Sequence, residues 1–210
     1  MQMYDYVKDP AAIYAQSFAT VEAETDLDGL SPELRNMVIR IIHACGMPEI
    51  RKDLEFSNDI AKEAAIALGS GAPVLCDCEM VKNGITQKFL PRQNELVCTL
   101  NNEIVPDLAQ KLNTTRSAAA VELWLPYLSG AVAVFGNAPT ALFHLLELIE
   151  NGAPKPAAIL GFPVGFVGAA ESKQALIEAD LDIPFITIKG RKGGSAMAAA
   201  ALNAAARDAT

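Results

Sequence analysis

Over residues 32–45, PELRNMVIRIIHAC, apolar side chains recur at helical spacing. At about 100° per residue, Leu34, Met37, Val38, Ile41, Ile42 and Cys45 fall on one face. Ser31 is placed to cap the helix, Pro32 to open it and Glu33 to face its positive end. Gly46 stops it and Pro48 keeps it stopped. A first helix is expected from Asp9-Pro10 through about Glu24. A third is expected in SNDIAKEAAIALGSG, capped by Ser57 and ended near Gly69.

Past residue 70 the pattern changes. APVLCDCEMV, ELVCTL, GAVAVFG, PAAILG and IPFITIKG are short apolar runs, rich in β-branched or small residues and bounded by Gly or Pro. They read as buried strands. Helical segments lie between or after them, in NNEIVPDLAQKLN, TTRSAAAVELWLPYL, APTALFHLLELIENG, GAAESKQALIEAD and GGSAMAAAALNAAARDA. Such alternation predicts an α/β fold: five parallel strands, helices on both faces and an added helical layer from the N-terminal third. In MVKNGITQKFL the Asn83-Gly84 pair is a hairpin signal. The flanks do not alternate cleanly, so a loop with a short helical turn ranks above a hairpin. No low-complexity linker divides residues 1–210, so one domain is expected.

Composition narrows the partners. The chain is 51% hydrophobic and 20% charged, with a net charge of −8, which argues against non-specific nucleic-acid binding. The longest apolar stretch, PAAILGFPVGFVGAA, is broken by proline and glycine and too short for a bilayer. The start MQMYDYVKDP is polar and acidic, unlike a secretory leader. A soluble, cytoplasmic protein with no membrane partner is expected. Cys76 and Cys78 lie two apart in a strand and face the same way. Their spacing with His43 fits no common zinc motif, so Cys45, Cys76, Cys78 and Cys98 read as thiols in a reducing compartment, and no metal is expected.

Candidate chemistry follows from the helix faces and loops. His43 points away from the apolar face of its helix, beside Asn36 and Arg40. It is either a proton-transfer residue or an exposed histidine with no task. His144, among Leu142, Phe143 and Leu145, reads as structural. Ligands of open parallel sheets bind beyond the carboxyl ends of the strands. There the chain places Gly136–Thr140, Gly161–Gly168 and Lys189–Ser195, glycine-bearing loops that open helices and offer N–H groups to anions. Arg191, Lys192 and Lys173 add positive charge, and Arg116 sits in a first helical turn, where a cation is disfavoured unless it meets an anion. GFPVGFVG departs from the dinucleotide spacing Gly-x-Gly-xx-Gly. There is no Gly-x-Ser-x-Gly elbow, phosphate-binding loop or His-Glu-xx-His helix. What remains suits a bulky polycarboxylate that needs one proton transfer.

The stretches SFATVEAE, IIHACGM, PVLCDCEMV, NGIT, TTRSAAAVELW, GNAPTALFHLLELI, GFPVGFVGAAESK and GRKGGSAMAAAALN together resemble the precorrin-8X methylmutase (cobalt-precorrin-8 methylmutase) family, nearly end to end. The resemblance implies an isomerase of cobalamin biosynthesis. It would move a methyl group from C-11 to C-12 of a corrin precursor, giving hydrogenobyrinic acid or its cobalt-containing counterpart. No methyl donor or redox cofactor is implied. The family histidine maps onto His43 as proton donor, and the family is dimeric with substrate near the subunit interface. For the substrate's carboxylates, Arg116 and Arg191 are the expected partners, assisted by the amides of Gly193, Gly194 and Ser195. Ser17 interrupts the apolar side of the first helix near Ile13 and Val21; it is either a substrate contact or a hydroxyl bonded back to its own helix. Thr86 and Asn137 join the expected set by loop position and family likeness. Two other classes stay open: an NADP-dependent oxidoreductase using the Gly165 loop, and a non-catalytic tetrapyrrole carrier.

Overall fold

A computed structural model describes residues 4–57 and 59–209. The opening MQM of the polar start lies outside the described residues. The elements in chain order are α1 (Pro10–Glu24), α2 (Pro32–Cys45), β1 (Leu54–Phe56), α3 (Ile60–Gly69), β2 (Val74–Cys76), α4 (Glu79–Gly84), β3 (Leu96–Val97), α5 (Val105–Lys111), α6 (Arg116–Glu122), β4 (Val132–Phe135), α7 (Pro139–Glu150), β5 (Ala158–Gly161), α8 (Ala169–Glu178), β6 (Phe185–Ile188) and α9 (Ser195–Asp208). Short 3₁₀ turns cover Pro48–Asp53, Gln87–Phe89 and Leu125–Tyr127.

The five expected strands are present and parallel, but the sheet has six, in the order β1-β6-β5-β4-β2-β3. The additional strand, β1, runs antiparallel to β6 at the edge, with Leu54 opposite Ile188 and Phe56 opposite Ile186. Three residues with a charge in the middle carry no strand signature. The edge forms because β6 offers free backbone groups and Lys189 pairs with Glu55. Ser57 is also used differently from expectation. It caps no helix: Phe185 N–H donates to its hydroxyl at 3.0 Å, and Asp59 precedes α3 without a side-chain cap.

Alternation along the strands sorts the two faces. Val74, Cys76, Val132, Val134, Leu160, Ile186 and Ile188 meet α2, α3 and α9 in one core. Leu75, Val97, Ala133, Phe135 and Ile159 meet Val121 of α6, Leu142, Leu145 and Ile149 of α7 and Leu176 of α8 in the other. Helix α2 packs mainly on α9, whose buried face is almost all alanine. Helix α1 lies outside α2 and buries only Val21. The segment after Cys78 is helix α4 followed by a 3₁₀ turn, not a hairpin.

Strands β2 and β4 are neighbours, and their carboxyl ends are locked together by one side chain. Asp77, 4% exposed, accepts hydrogen bonds from the N–H groups of Gly136 (3.0 Å), Asn137 (2.8 Å) and Ala138 (2.8 Å). The nest that opens α7 is therefore filled by the protein's own carboxylate. Burial pushes the Asp77 carboxyl up from its ordinary value, and the three N–H groups pull the other way. Gly136 is required at this junction, since a Cβ there would lie 2.5 Å from Val81 Cγ2 and 2.6 Å from Ser195 Cα.

Replacing Asp77 with alanine leaves up to three N–H groups without an acceptor. The expected cost is about 2–4 kcal/mol, read as a fall of roughly 5–15 °C in Tm by thermal denaturation. An unchanged Tm would show that water replaces the carboxylate without loss.

Candidate active site

Leu34, Met37, Val38, Ile41 and Ile42 of the α2 stripe are buried as their spacing requires, with Ile39 added at 5% exposure, while Cys45 is half-buried and His43 is exposed. Ser31 accepts a hydrogen bond from Leu34 N–H at 3.2 Å, and Gly46 closes the helix in the left-handed region, at φ 68°. His43 therefore stands on the last turn of a helix fixed at both ends, on the side that meets α1.

Helix α1 meets it with Tyr14, Ser17, Phe18 and Val21, spaced i, i+3, i+4 and i+7. Ser17 does not bond back to its own helix. Its Oγ lies 2.8 Å from His43 Nδ1. The rings of Tyr14 and Phe18 flank the imidazole at centroid distances of 5.6 and 5.4 Å, the second edge-to-face. Arg40 covers Phe18 at 5.1 Å. With Ser17 donating to Nδ1, the neutral ring carries its proton on Nε2, which has no partner among the described residues. An open groove of about 500 Å³ lies here, with Ile13, Ser17 and Glu24 on one wall and His43, Gly46 and Pro48 on the other. Its lining is mainly apolar, as a flat organic ring requires.

The other expected site residues are arranged elsewhere. None of Thr86, Arg116, Asn137, Arg191, Gly193, Gly194 and Ser195 is among the described residues lining the groove. Asn137 and Arg191 belong to one loop cluster, since Val164 N–H donates to the Asn137 carbonyl and Gly165 N–H to the Arg191 carbonyl. Both side chains are exposed. Arg191 lies 5.5 Å from the ring of Phe166, which with Val167 stands 84–88% exposed at the loop tip. Arg116 is exposed and donates to the Leu100 carbonyl at 3.3 Å, and Thr86 N–H is held by Asn203 Oδ1 at 2.8 Å.

One expectation about free anion donors needs correcting, that for the Gly194 amide. Gly194 N–H donates to the Phe162 carbonyl at 2.8 Å, so it cannot serve a ligand. Gly193 is present for close packing: a Cβ there would lie 2.5 Å from the Phe162 carbonyl oxygen. Lys173 is fully buried, and its Nζ donates to the Lys192 carbonyl. Burial pulls its pKa down to about 8, and its task is to hold the β6–α9 loop. Ser195 Oγ lies 3.5 Å from Cys78 Sγ and 3.4 Å from the Gly136 carbonyl, inside the junction of β2, β4 and α9.

Sequence reasoning missed the Tyr14–Phe18 clamp, although the i, i+3, i+4 stripe through Ser17 carries it. It also missed Asp77, whose role depends on a turn 60 residues away. His144 ties α7 to α6 through Glu122 Oε1 at 2.7 Å, a structural use. Burial pushes the thiols up, Cys98 to about 11 and Cys76 well above its ordinary value, so neither is a ready thiolate. Among the described residues, no group of three or more His, Cys, Asp and Glu side chains is placed to hold a metal ion, and no helix is long and apolar enough to cross a membrane.

Comparison with known proteins places this geometry. The family model for precorrin-8X methylmutase matches residues 12–207. The precorrin-8X methylmutases of Pseudomonas aeruginosa and a Sinorhizobium species are 53% and 54% identical to this chain, covering 98–99% of it and 99% of their own lengths. The solved precorrin-8X methyl mutase of Thermus thermophilus superposes with a TM-score of 0.85 at 40% identity, over 95% of this chain and 96% of that one. With the match running through α1, the His43 helix and every strand of the sheet, the chain belongs to the precorrin-8X methylmutase family.

Proposed function

We propose that this protein is the isomerase of cobalamin biosynthesis that moves a methyl group from C-11 to C-12 of precorrin-8X, giving hydrogenobyrinic acid, with His43 as proton donor. The observation that carries the assignment of His43 is the 2.8 Å contact between Ser17 Oγ and His43 Nδ1 on the wall of an apolar groove. Ser17 fixes the ring's orientation, the Tyr14 and Phe18 rings flank it, and Nε2 is left to face the ligand. The relatives that match at more than half identity carry the name of the cobalt-free substrate, which favours precorrin-8X over cobalt-precorrin-8.

The chemistry asks little of the protein. One carbon–carbon bond to the migrating methyl breaks and another forms within the same molecule. Substrate and product are isomers, so a proton given to the ring at one atom leaves from another, and the imidazole returns to its starting state. Protonation draws electron density toward the ring and so lowers the barrier to migration. No redox partner or methyl donor enters the balance.

Residues 1–210 are read as one methylmutase domain acting in the cytoplasm as a homodimer. The groove is open and holds only part of a macrocycle. Tyr6, Val7, Ile13 and Tyr14 stand exposed beside it. Asn137, Arg116 and Arg191 lie outside it, where a second copy can bring them to the substrate's carboxylates. Thr86 and Ser195 stay in the proposed binding set through their loops.

Three outcomes are expected. Purified protein mixed with precorrin-8X changes the visible spectrum to that of hydrogenobyrinic acid, and does so faster than with cobalt-precorrin-8; no change with either substrate overturns the assignment. His43→Ala lowers kcat by about 10²–10⁴-fold while still binding product, and Ser17→Ala by about 5- to 10-fold, the value of one hydrogen bond; full turnover by His43→Ala would remove it as the donor. Sedimentation equilibrium at micromolar concentration gives twice the 22.3 kDa chain mass, and a monomer would contradict the shared site.

A further inference from the structure

Lys173, on α8, is the one fully buried cation among the described residues. Its Nζ donates to a single acceptor, the Lys192 carbonyl, and no carboxylate among the described residues is paired with it. Burial alone shifts its pKa, down to about 8, so at neutral pH the head group is still mostly protonated. An enclosed ammonium without a counter-charge is costly, and an apolar side chain of the same length would fill its place at lower cost. Packing therefore does not account for a lysine here, and the reason for it lies in its one contact.

That contact falls in the loop between β6 and α9, where Gly190, Arg191 and Lys192 are exposed. Backbone bonds pin the two ends of the loop. Lys189 N–H donates to the Asp53 carbonyl and Gly194 N–H to the Phe162 carbonyl, both at 2.8 Å. Between these pins the other ties are weaker. Gly165 N–H reaches the Arg191 carbonyl at 3.3 Å, and the Lys192 side chain pairs with Glu49 at 3.7 Å with both partners about half exposed. Such exposed pairs contribute little. A hydrogen bond from an ammonium is roughly twice as strong as a neutral one, so Lys173 makes the firmest tie in the middle of the loop. It fixes the peptide between Lys192 and Gly193, one residue beyond Arg191.

We propose that Lys173 is a positioning residue for substrate binding: by holding the Lys192 carbonyl from beneath, it fixes the backbone that carries Arg191 and so sets where the guanidinium can meet a carboxylate of the tetrapyrrole. The inference rests on the methylmutase reading, in which Arg191 binds such an arm. Lys173 itself touches no ligand, because no part of it reaches the surface. Its buried charge costs stability. Its effect is a loop held in one shape before the substrate arrives, which lowers the ordering cost of binding.

A double-mutant cycle separates positioning from general damage. Lys173→Met keeps the length and removes the charge, Arg191→Ala removes the guanidinium, and the third variant carries both. Each is titrated with hydrogenobyrinic acid, followed by visible absorbance, and its Tm is measured without ligand. Product Kd is expected to rise about 10- to 100-fold in Arg191→Ala and about 5- to 20-fold in Lys173→Met. In Lys173→Met the KM for precorrin-8X rises in parallel, while kcat stays within about twofold because His43 is untouched. The double variant is expected to bind within about twofold of Arg191→Ala alone, since without the guanidinium there is nothing left to position. Ligand-free Tm of Lys173→Met is expected to equal or exceed the parent's. Unchanged Kd in either single variant overturns the proposal. So does a double variant in which the two losses multiply in full, the mark of a merely structural role. If Lys173→Met fails to fold, Lys173→Gln takes its place in the same cycle. If the unaltered protein neither binds hydrogenobyrinic acid nor converts precorrin-8X, the methylmutase reading itself fails and this inference goes with it.

Discussion

Helix α2 buries its apolar stripe against the alanine face of α9, and that contact decides where His43 points. Met37, Val38, Ile41 and Ile42 are wholly buried, and the opposing α9 positions include Ala198, Ala201, Ala204 and Ala205. Small side chains let the two helix axes approach closely. The stripe on α2 can meet that face in one rotation only, because a turn about the helix axis would carry His43, Asn36 or Arg40 into the core. The direction of His43 thus comes from hydrophobic packing on the far side of its own helix. Helix α1, weakly anchored by Val21, is then positioned against a histidine that is already fixed. Asn36 and Asp208 add a polar tie, 3.0 Å from Nδ2 to carboxylate, where α2 and α9 meet near their other ends.

The α2 helix was legible in the sequence because all of its signals are local. Cap, proline, stripe and terminal glycine lie within 18 residues, and each has a chemical reason that needs no partner. The five parallel strands were legible for a similar reason, since each is a buried run between punctuating residues. Strand β1 was not. Its pairing depends on β6, with partners 130 to 134 residues later in the chain, and its three residues hold no pattern of their own. The use of Ser57 was hidden by the same distance. So was Asp77, which reads as one acid after an apolar run until the β4–α7 turn is folded beside it.

The site was only partly legible, and the reason is instructive about glycine loops. Their N–H groups are attractive to anions in the abstract. In this fold the turn after β4 is satisfied by Asp77, and Gly194 by the Phe162 carbonyl. Gly136 and Gly193 are there so that backbones can touch. A sequence shows which N–H groups lack a helical partner, but not which are claimed by distant carbonyls and carboxylates.

An intramolecular rearrangement sets unusual terms for catalysis. There is no second reactant to bring in, so proximity gains of the bimolecular kind are absent. What the protein can supply is a proton at the right ring atom and an orientation that keeps it there. In the proposed reading a single oriented imidazole meets the first need, provided water does not compete for Nε2. Orientation is the harder task, because a macrocycle presents similar edges all round and differs mainly in which acid arm stands where. An apolar groove cannot distinguish those edges, since hydrophobic contact is non-directional. Charged donors placed at fixed distances from the imidazole can.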